Sequence, residues 1–445
     1  VALVNIGAAA RPTPSAPAGE TPAAPPAAAA WHAAEGLRLL ALALGVMAAT
    51  RLALVLGIEV TPSSDSAWYF GRALELIQTG RYAENGVPTA YWPVGYPAFL
   101  AGVLAVFGPS VLAGQLANLV LSLACAGVLY AFCVQRFRDA RLGGVAALLL
   151  AVYPNHMGYS AGLFSEPLFT LQLLLVAVLA RPGAGLGRLL AVGVLLGLAT
   201  LVKAQTQLLG PLLAFVLLLG GFTRPQLLRA AGGALVVTLA MAATIAPWTL
   251  RNAEVMGKPV IVSANGGTSL LAGNNPSMRV GMGRNFVDTD PLFDEVRFSV
   301  ADQVAADERA RRAAWNWIRE NPGTFVALMP WKAWRLWAYD GETEWIYQAG
   351  HAGYAEHRLA FRTVRALNQA YYGLLLVAGV WGMWRLCRWR EPHSLAVPFM
   401  IVFFTALSMV FSGQSRYHAP LMPFVIAYAA WALLALHRRH AERRR

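Results

Sequence analysis

The sequence predicts an all-α polytopic membrane protein, and three observations carry that prediction. Hydrophobic residues fill 57% of the 445 positions and charged residues only 13%, against about 25% charge in an ordinary soluble domain. Apolar runs recur that reach or approach the roughly 20 residues needed to cross a bilayer. Basic residues, which bring the formal net charge to +13, gather in short connections between those runs and in the tail from His437 to Arg445. That is the positive-inside pattern; it calls for membrane lipids around the chain and for no nucleic acid.

Residues 1–35 are rich in Ala and Pro and lack the basic region and cleavage site of a signal peptide, so they read as a disordered cytoplasmic leader. Spans are predicted at 36–58, 110–135, 142–161, 165–181, 186–203, 206–222, 229–249, 367–386, 394–412 and 418–436. Every second connection is arginine-rich: Arg136, Arg138 and Arg141, then Arg181 and Arg188, then Arg224 and Arg229, then Arg385, Arg388 and Arg390. About ten spans with both termini cytoplasmic satisfy this alternation. The chain then divides into an N-terminal membrane module (36–249), a long external segment (250–366), a three-span module (367–436) and a basic cytoplasmic tail (437–445).

Two segments, 59–109 and 250–366, are external on this topology. In the first, 65–79 has the pattern of a short amphipathic helix, and 95–107 is apolar but too short to span comfortably, which suits an interfacial helix. In the second, 298–320 reads as a helix. Residues 323–339 read as a helix in the headgroup layer, with Trp331, Trp334 and Trp337 interleaved with Lys332 and Arg335.

Ionisable groups beside spans are costly unless paired or facing a cavity, so each is a functional candidate. The topology sets Asp65, Glu166, Lys203, Arg251 and Arg416 at one membrane level. Asp65 follows Ser63-Ser64 and could simply cap a helix, or it could act as a general base toward an acceptor hydroxyl. Glu166 between Ser165 and Pro167 could be a favourable first-turn acid, or it could fix the acceptor or pair with a base near Asp65. Lys203 could snorkel; with Arg251 and Arg416 it could also bind a phosphate. His156 and His418 lie near helix ends without metal-ligand spacing, so no metal site is predicted, although dispersed residues leave a divalent metal open. Cys125, Cys133 and Cys387 read as packing residues, and nucleotide-binding motifs are missing.

An ordered series of motifs resembles the GT-C superfamily of polyprenyl-phosphate-sugar-dependent glycosyltransferases, in particular the bacterial branch related to protein O-mannosyltransferases and the lipid A aminoarabinose transferase. The series is Asp65 with Trp68-Tyr69, Gly80-Arg81-Tyr82, Tyr91-Trp92-Pro93 through Tyr96-Pro97, Pro154 ahead of Ser165-Glu166-Pro167, Lys203, Pro247-Trp248 with Arg251-Asn252, and Arg416 through Pro423. The resemblance implies a GT-C-like bundle in a bacterial inner membrane, with its active site external and no required cofactor. It implies a polyprenyl-phosphate-linked sugar as donor and a glycan, lipid or protein as acceptor. Asp65 would then be the catalytic base and Glu166 the second catalytic carboxylate, with Lys203 and Arg416, and more weakly Arg251, as donor-phosphate ligands. Tyr69, Tyr91, Trp92, Tyr96, His156, Tyr417 and His418 would line the substrate cavity. The sequence departs from the protein mannosyltransferase pattern where Ser66 follows Asp65 in place of a second acid, which leaves the acceptor open.

Two other classes compete. A secondary transporter would show related halves and midplane charges, and the sequence shows no internal repeat. A lipid-binding subunit without catalysis would leave Asp65 as a cap only.

Overall fold

The computed structural model describes residues 26–282, 290–296, 299–388 and 390–444. Helix α1 (Pro26–Gly57) leads to α2 (Ser64–Thr79), a small hairpin of β1 (Ala83–Glu84) and β2 (Val87–Pro88), α3 (Gly95–Phe107) and α4 (Val111–Phe137). Next come α5 (Ala140–Ala151), α6 (Pro154–Ala161), α7 (Glu166–Leu179), α8 (Leu186–Val202), α9 (Thr206–Leu218) and α10 (Arg224–Met256). The rest holds α11 (Gly266–Gly273), α12 (Leu292–Glu295), α13 (Gln303–Glu320), α14 (Pro322–Ala338), α15 (Glu344–Gly350), α16 (Arg358–Leu386), α17 (Ala396–Val410) and α18 (Met422–Arg443). Among the described residues, four segments are long and apolar enough to cross a membrane, and six shorter apolar helices accompany them. The all-α polytopic fold class holds.

Several boundaries differ from the sequence reading. The first helix starts at Pro26, inside the expected leader, and residues 1–25 lie outside the described ones. The expected span 142–161 is two helices, α5 and α6. Pro154 lacks an amide hydrogen and disfavours helical backbone in the residue before it, and Tyr153 is extended at φ −78°, ψ 110°. The helices α10 and α16 outrun their predicted spans because their polar, arginine-containing flanks favour helix without being apolar. The β1–β2 hairpin was not predicted. Asn85 (φ 54°) and Gly86 (φ 81°) form its turn, the Asn-Gly pair that tight hairpins favour.

The bundle packs closely where small residues meet. A Cβ on Gly382 of α16 would stand 2.3 Å from the Tyr428 carbonyl oxygen of α18, and one on Gly193 of α8 would stand 2.6 Å from the Val237 carbonyl of α10. Such contacts let backbones approach and gain dispersion energy without help from water. Large apolar side chains such as Leu235, Leu239, Leu374, Val377 and Val402 remain exposed on the bundle's outside, which suits contact with lipid tails.

The two ends of the bundle differ. At one end the connections carry arginine, and Arg141 pairs with Glu35 at 3.1 Å while Arg438 pairs with Asp139 at 3.0 Å. At the opposite end the loops are longer and hold the buried polar groups described below.

Candidate active site

Helix α2 begins without a side-chain cap, because Ser63 at the N-cap position makes no such hydrogen bond. Asp65 is therefore not occupied as a cap. Its Oδ2 instead accepts from Arg416 Nη1 at 2.8 Å, across 351 residues of sequence. Ser64, just ahead, sits at φ 48°, a left-handed conformation that costs a non-glycine residue about 1–2 kcal/mol. Strain of this kind persists where the surroundings over-determine it.

Glu166 opens α7, and the loop ahead of it is fixed from three sides. Gln115 Nε2 donates to the Ala161 carbonyl at 2.6 Å, and Asn118 Nδ2 donates to the Gly162 carbonyl at 2.9 Å. The Leu163 amide donates to Ser66 Oγ at 3.3 Å, which ties this loop to the first turn of α2. Glu166 is thereby only 2% exposed, and its Oε1 accepts from Lys203 Nζ at 2.9 Å and from Arg416 Nε at 3.3 Å. Lys203 stands at the C-terminal end of α8.

Arg416 is thus shared between the two carboxylates, with Phe164 5.9 Å beneath its guanidinium. The turn that presents it is anchored on both sides. Ser415 donates its hydroxyl to Glu342. His418 is fully buried and stacks between Trp337 (5.3 Å) and Tyr372 (5.1 Å), with Nδ1 2.5 Å from the Leu336 carbonyl and Nε2 3.1 Å from Asp340. Asp340 also accepts from Tyr153, Asn155 and Asn368.

The cluster holds two carboxylates and two cations. Desolvating such ions costs several kcal/mol each and is recovered only with good mutual geometry. Three of the four keep some exposure, with Lys203 at 14%, Asp65 at 18% and Arg416 at 20%. A group arriving there would meet cations able to bind a phosphate and a carboxylate able to take a proton. Beside Asp65 lies an aromatic wall. Tyr69 packs against Trp92 at 5.5 Å and Tyr96 at 5.2 Å, and Trp68 meets Trp92 at 5.0 Å. Burial first, and the Asp65 carboxylate next, push the Tyr69 phenol far up, so it stays an O–H. Tyr91 stacks on Trp92 and is also raised by burial.

The structure therefore brings Asp65, Glu166, Lys203 and Arg416 together, with Tyr69, Tyr91, Trp92 and Tyr96 alongside and Tyr417 half-buried next to Arg416. It sets other candidates apart. Arg251 donates to the carbonyls of Tyr82 (2.6 Å) and Thr89 (2.7 Å) over the Trp248 ring, clamping the hairpin to α10. His418 braces the Arg416 turn from behind, and His156 lies buried behind Glu166. Tyr96 donates its hydroxyl to Asn118 at 3.2 Å.

Sequence reasoning missed Arg51, Asp340 and Glu342. Arg51 is fully buried in α1 and donates to the Ala151 carbonyl at 2.9 Å. A lone arginine inside an apolar run was its signal. The acids of Tyr339-Asp340-Gly341-Glu342 carry no periodic pattern that would mark them.

Comparison with known proteins agrees with this architecture. Residues 92–249 match the dolichyl-phosphate-mannose-protein mannosyltransferase family, a stretch that contains Glu166 and Lys203. The archaeal oligosaccharyltransferase AglB from Archaeoglobus fulgidus, in complex with an inhibitory peptide and a dolichol-phosphate, superposes with a TM-score of 0.54 and 13% identity. That match covers 92% of this chain and 51% of AglB, so the chain spans about half the length of that relative. A second structure of the Archaeoglobus fulgidus oligosaccharyltransferase, with Zn and sulfate, matches at TM-score 0.52 and 15% identity, over 90% of this chain and 50% of that one. ArnT from Cupriavidus metallidurans bound to undecaprenyl phosphate gives 0.42 and 14%, over 89% and 77%. No curated protein sequence matches the chain. The chain therefore shares the fold of a polytopic membrane glycosyltransferase, and part of its sequence matches a glycosyltransferase family. That sequence match, to the protein mannosyltransferase family model, is confined to residues 92–249.

Proposed function

We propose that this protein transfers a sugar from a polyprenyl-phosphate donor to an acceptor hydroxyl or phosphate at the Asp65 end of the bundle. The observation that carries this reading is Arg416 joining Asp65 to Glu166 while Lys203 holds Glu166 from the other side. The match to a family named for a dolichyl-phosphate sugar donor supports it, as does a fold shared with an enzyme bound to dolichol-phosphate.

In this mechanism Asp65 takes the proton of the acceptor as it attacks the anomeric carbon. Arg416 and Lys203 hold the departing lipid phosphate, where preorganised cations stabilise developing charge. Glu166 orients both cations. A single displacement with one base inverts the anomeric centre, unlike a pair of carboxylates flanking the bond. The arginine-rich end faces the cytoplasm of a bacterial inner membrane by the positive-inside rule, which sets the site on the external face.

The test is transfer from a radiolabelled polyprenyl-phosphate sugar in proteoliposomes. Asp65→Asn, which keeps shape and removes the base, is expected to lower the rate about 100- to 10,000-fold while donor binding persists. Full transfer by Asp65→Asn would refute the base assignment. Movement of solute without a new covalent product would favour a transporter.

A further inference from the structure

Behind Glu166, on the side away from Lys203 and Arg416, three buried polar atoms have no hydrogen-bond partner within the protein: Glu166 Oε2, Tyr159 Oη and His156 Nε2. All three residues line one cavity at the junction of α6 and α7, with Tyr153, Asn155 and Thr170 completing its polar lining. The cavity has about 10 Å³ of room for the centre of a water molecule, which is what one water requires, about 10–15 Å³.

The donor and acceptor pattern is complementary. Arg51 Nη2 lies 3.0 Å from His156 Nδ1, and a guanidinium can only donate. Nδ1 must therefore accept, which leaves the proton on Nε2 and aims an N–H into the cavity. Glu166 Oε2 can only accept there while ionised, and the Tyr159 hydroxyl can do either. A water accepts from His156, donates to Glu166 and uses a third bond for Tyr159. Leaving three such groups unpaired would cost each its desolvation without return.

We infer that this cavity binds a single structural water, and that through it His156, held by Arg51, is a positioning residue for Glu166. The chain Arg51, His156, water, Glu166 fixes the Oε2 oxygen, so that Oε1 is presented to both Lys203 and Arg416. Arg51, buried in the first span, then has a task at the site although it does not reach it.

The kinetic part of the test rests on the transferase reading above; the structural part does not. A density map that resolves ordered waters is expected to show one within hydrogen-bond reach of the three atoms. Histidine ¹⁵N spectra are expected to show the Nε2–H tautomer for His156. In transfer assays, His156→Leu should lower kcat about 10- to 100-fold, the scale of a small misplacement of reacting groups. His156→Gln should restore most of that loss, because its amide can accept from Arg51 and donate to the water. Thermal unfolding of both variants and of Tyr159→Phe separates misfolding from misplacement. An Nδ1–H tautomer, a map without the water, or a folded His156→Leu with wild-type kcat would overturn the inference. A wild-type protein without transferase activity would remove the function proposed for the site, while the tautomer and the map would still decide the water.

Discussion

Arg416 and Asp65 meet at 2.8 Å although 351 residues separate them in sequence. The guanidinium uses Nη1 for Asp65 and Nε for Glu166, so one planar group sets the spacing of both carboxylates. Lysine cannot reproduce this, because a single ammonium is a point charge without a fork. Arg416→Lys is expected to keep the fold and lose about 100-fold or more in kcat, measured by single-turnover transfer at saturating donor.

Glu166 and Lys203 form a pair with almost no exposure on the acidic side. Removing one partner leaves a charge buried, so each single change, Glu166→Gln or Lys203→Met, should cost more stability than the pair of changes implies. A double-mutant cycle on thermal or denaturant unfolding is expected to give a coupling of about 0.5–3 kcal/mol. Strict additivity would mean that the two groups do not support one another.

Gly382 lets α16 lie against α18, and α18 carries the Arg416 turn at its start. Gly382→Ala would press a methyl against the Tyr428 carbonyl. The expected result is destabilisation by about 1–3 kcal/mol, with transfer reduced along with it. Unfolding midpoints in nanodiscs, compared with Gly373→Ala where the added methyl meets no neighbour, provide the check.

Lys332 of α14 is buried beside Asn274 and the Val410 carbonyl. Burial pushes its ammonium down to about 8 from 10.5. Between those values the unfolded chain holds a proton that the native chain has released, so this residue makes stability rise with pH across that window. Below it, both forms are charged and the native state bears the desolvation cost. Lys332→Met should flatten that rise, as followed by thermal unfolding through the same pH range.

The helices were legible because lipid demands long apolar runs and arginines mark one face. The short helices α2 and α3 were also readable, from an amphipathic pattern and from an apolar run too short to span. The break between α5 and α6 was missed because hydropathy continues across Tyr153-Pro154, although the proline itself announced it. At the site, Asp65, Glu166, Lys203 and Arg416 could be nominated one by one from their positions at helix ends. Sequence allowed for Glu166 to meet a base near Asp65 but could not say which cation pairs with which carboxylate, since the partners come from remote segments with no fixed spacing. Arg251 and His418 show the converse. Their residue types suit a ligand site, yet hydrogen bonds to carbonyls and aromatic stacking employ them in bracing the structure.

The reach from Asp65 to Arg416 also sets an order of assembly. A chain entering the membrane from its N-terminus can form the pocket around Glu166 and Lys203 early, since α4 to α8 supply it. The keystone cation arrives only with the last turn before α18. Until that helix docks, Glu166 lacks one of its two cation partners, Asp65 lacks Arg416, and the four-residue cluster is incomplete. A newly made molecule would therefore complete this cluster at the end of its insertion, when the rest of the bundle is already in place around it.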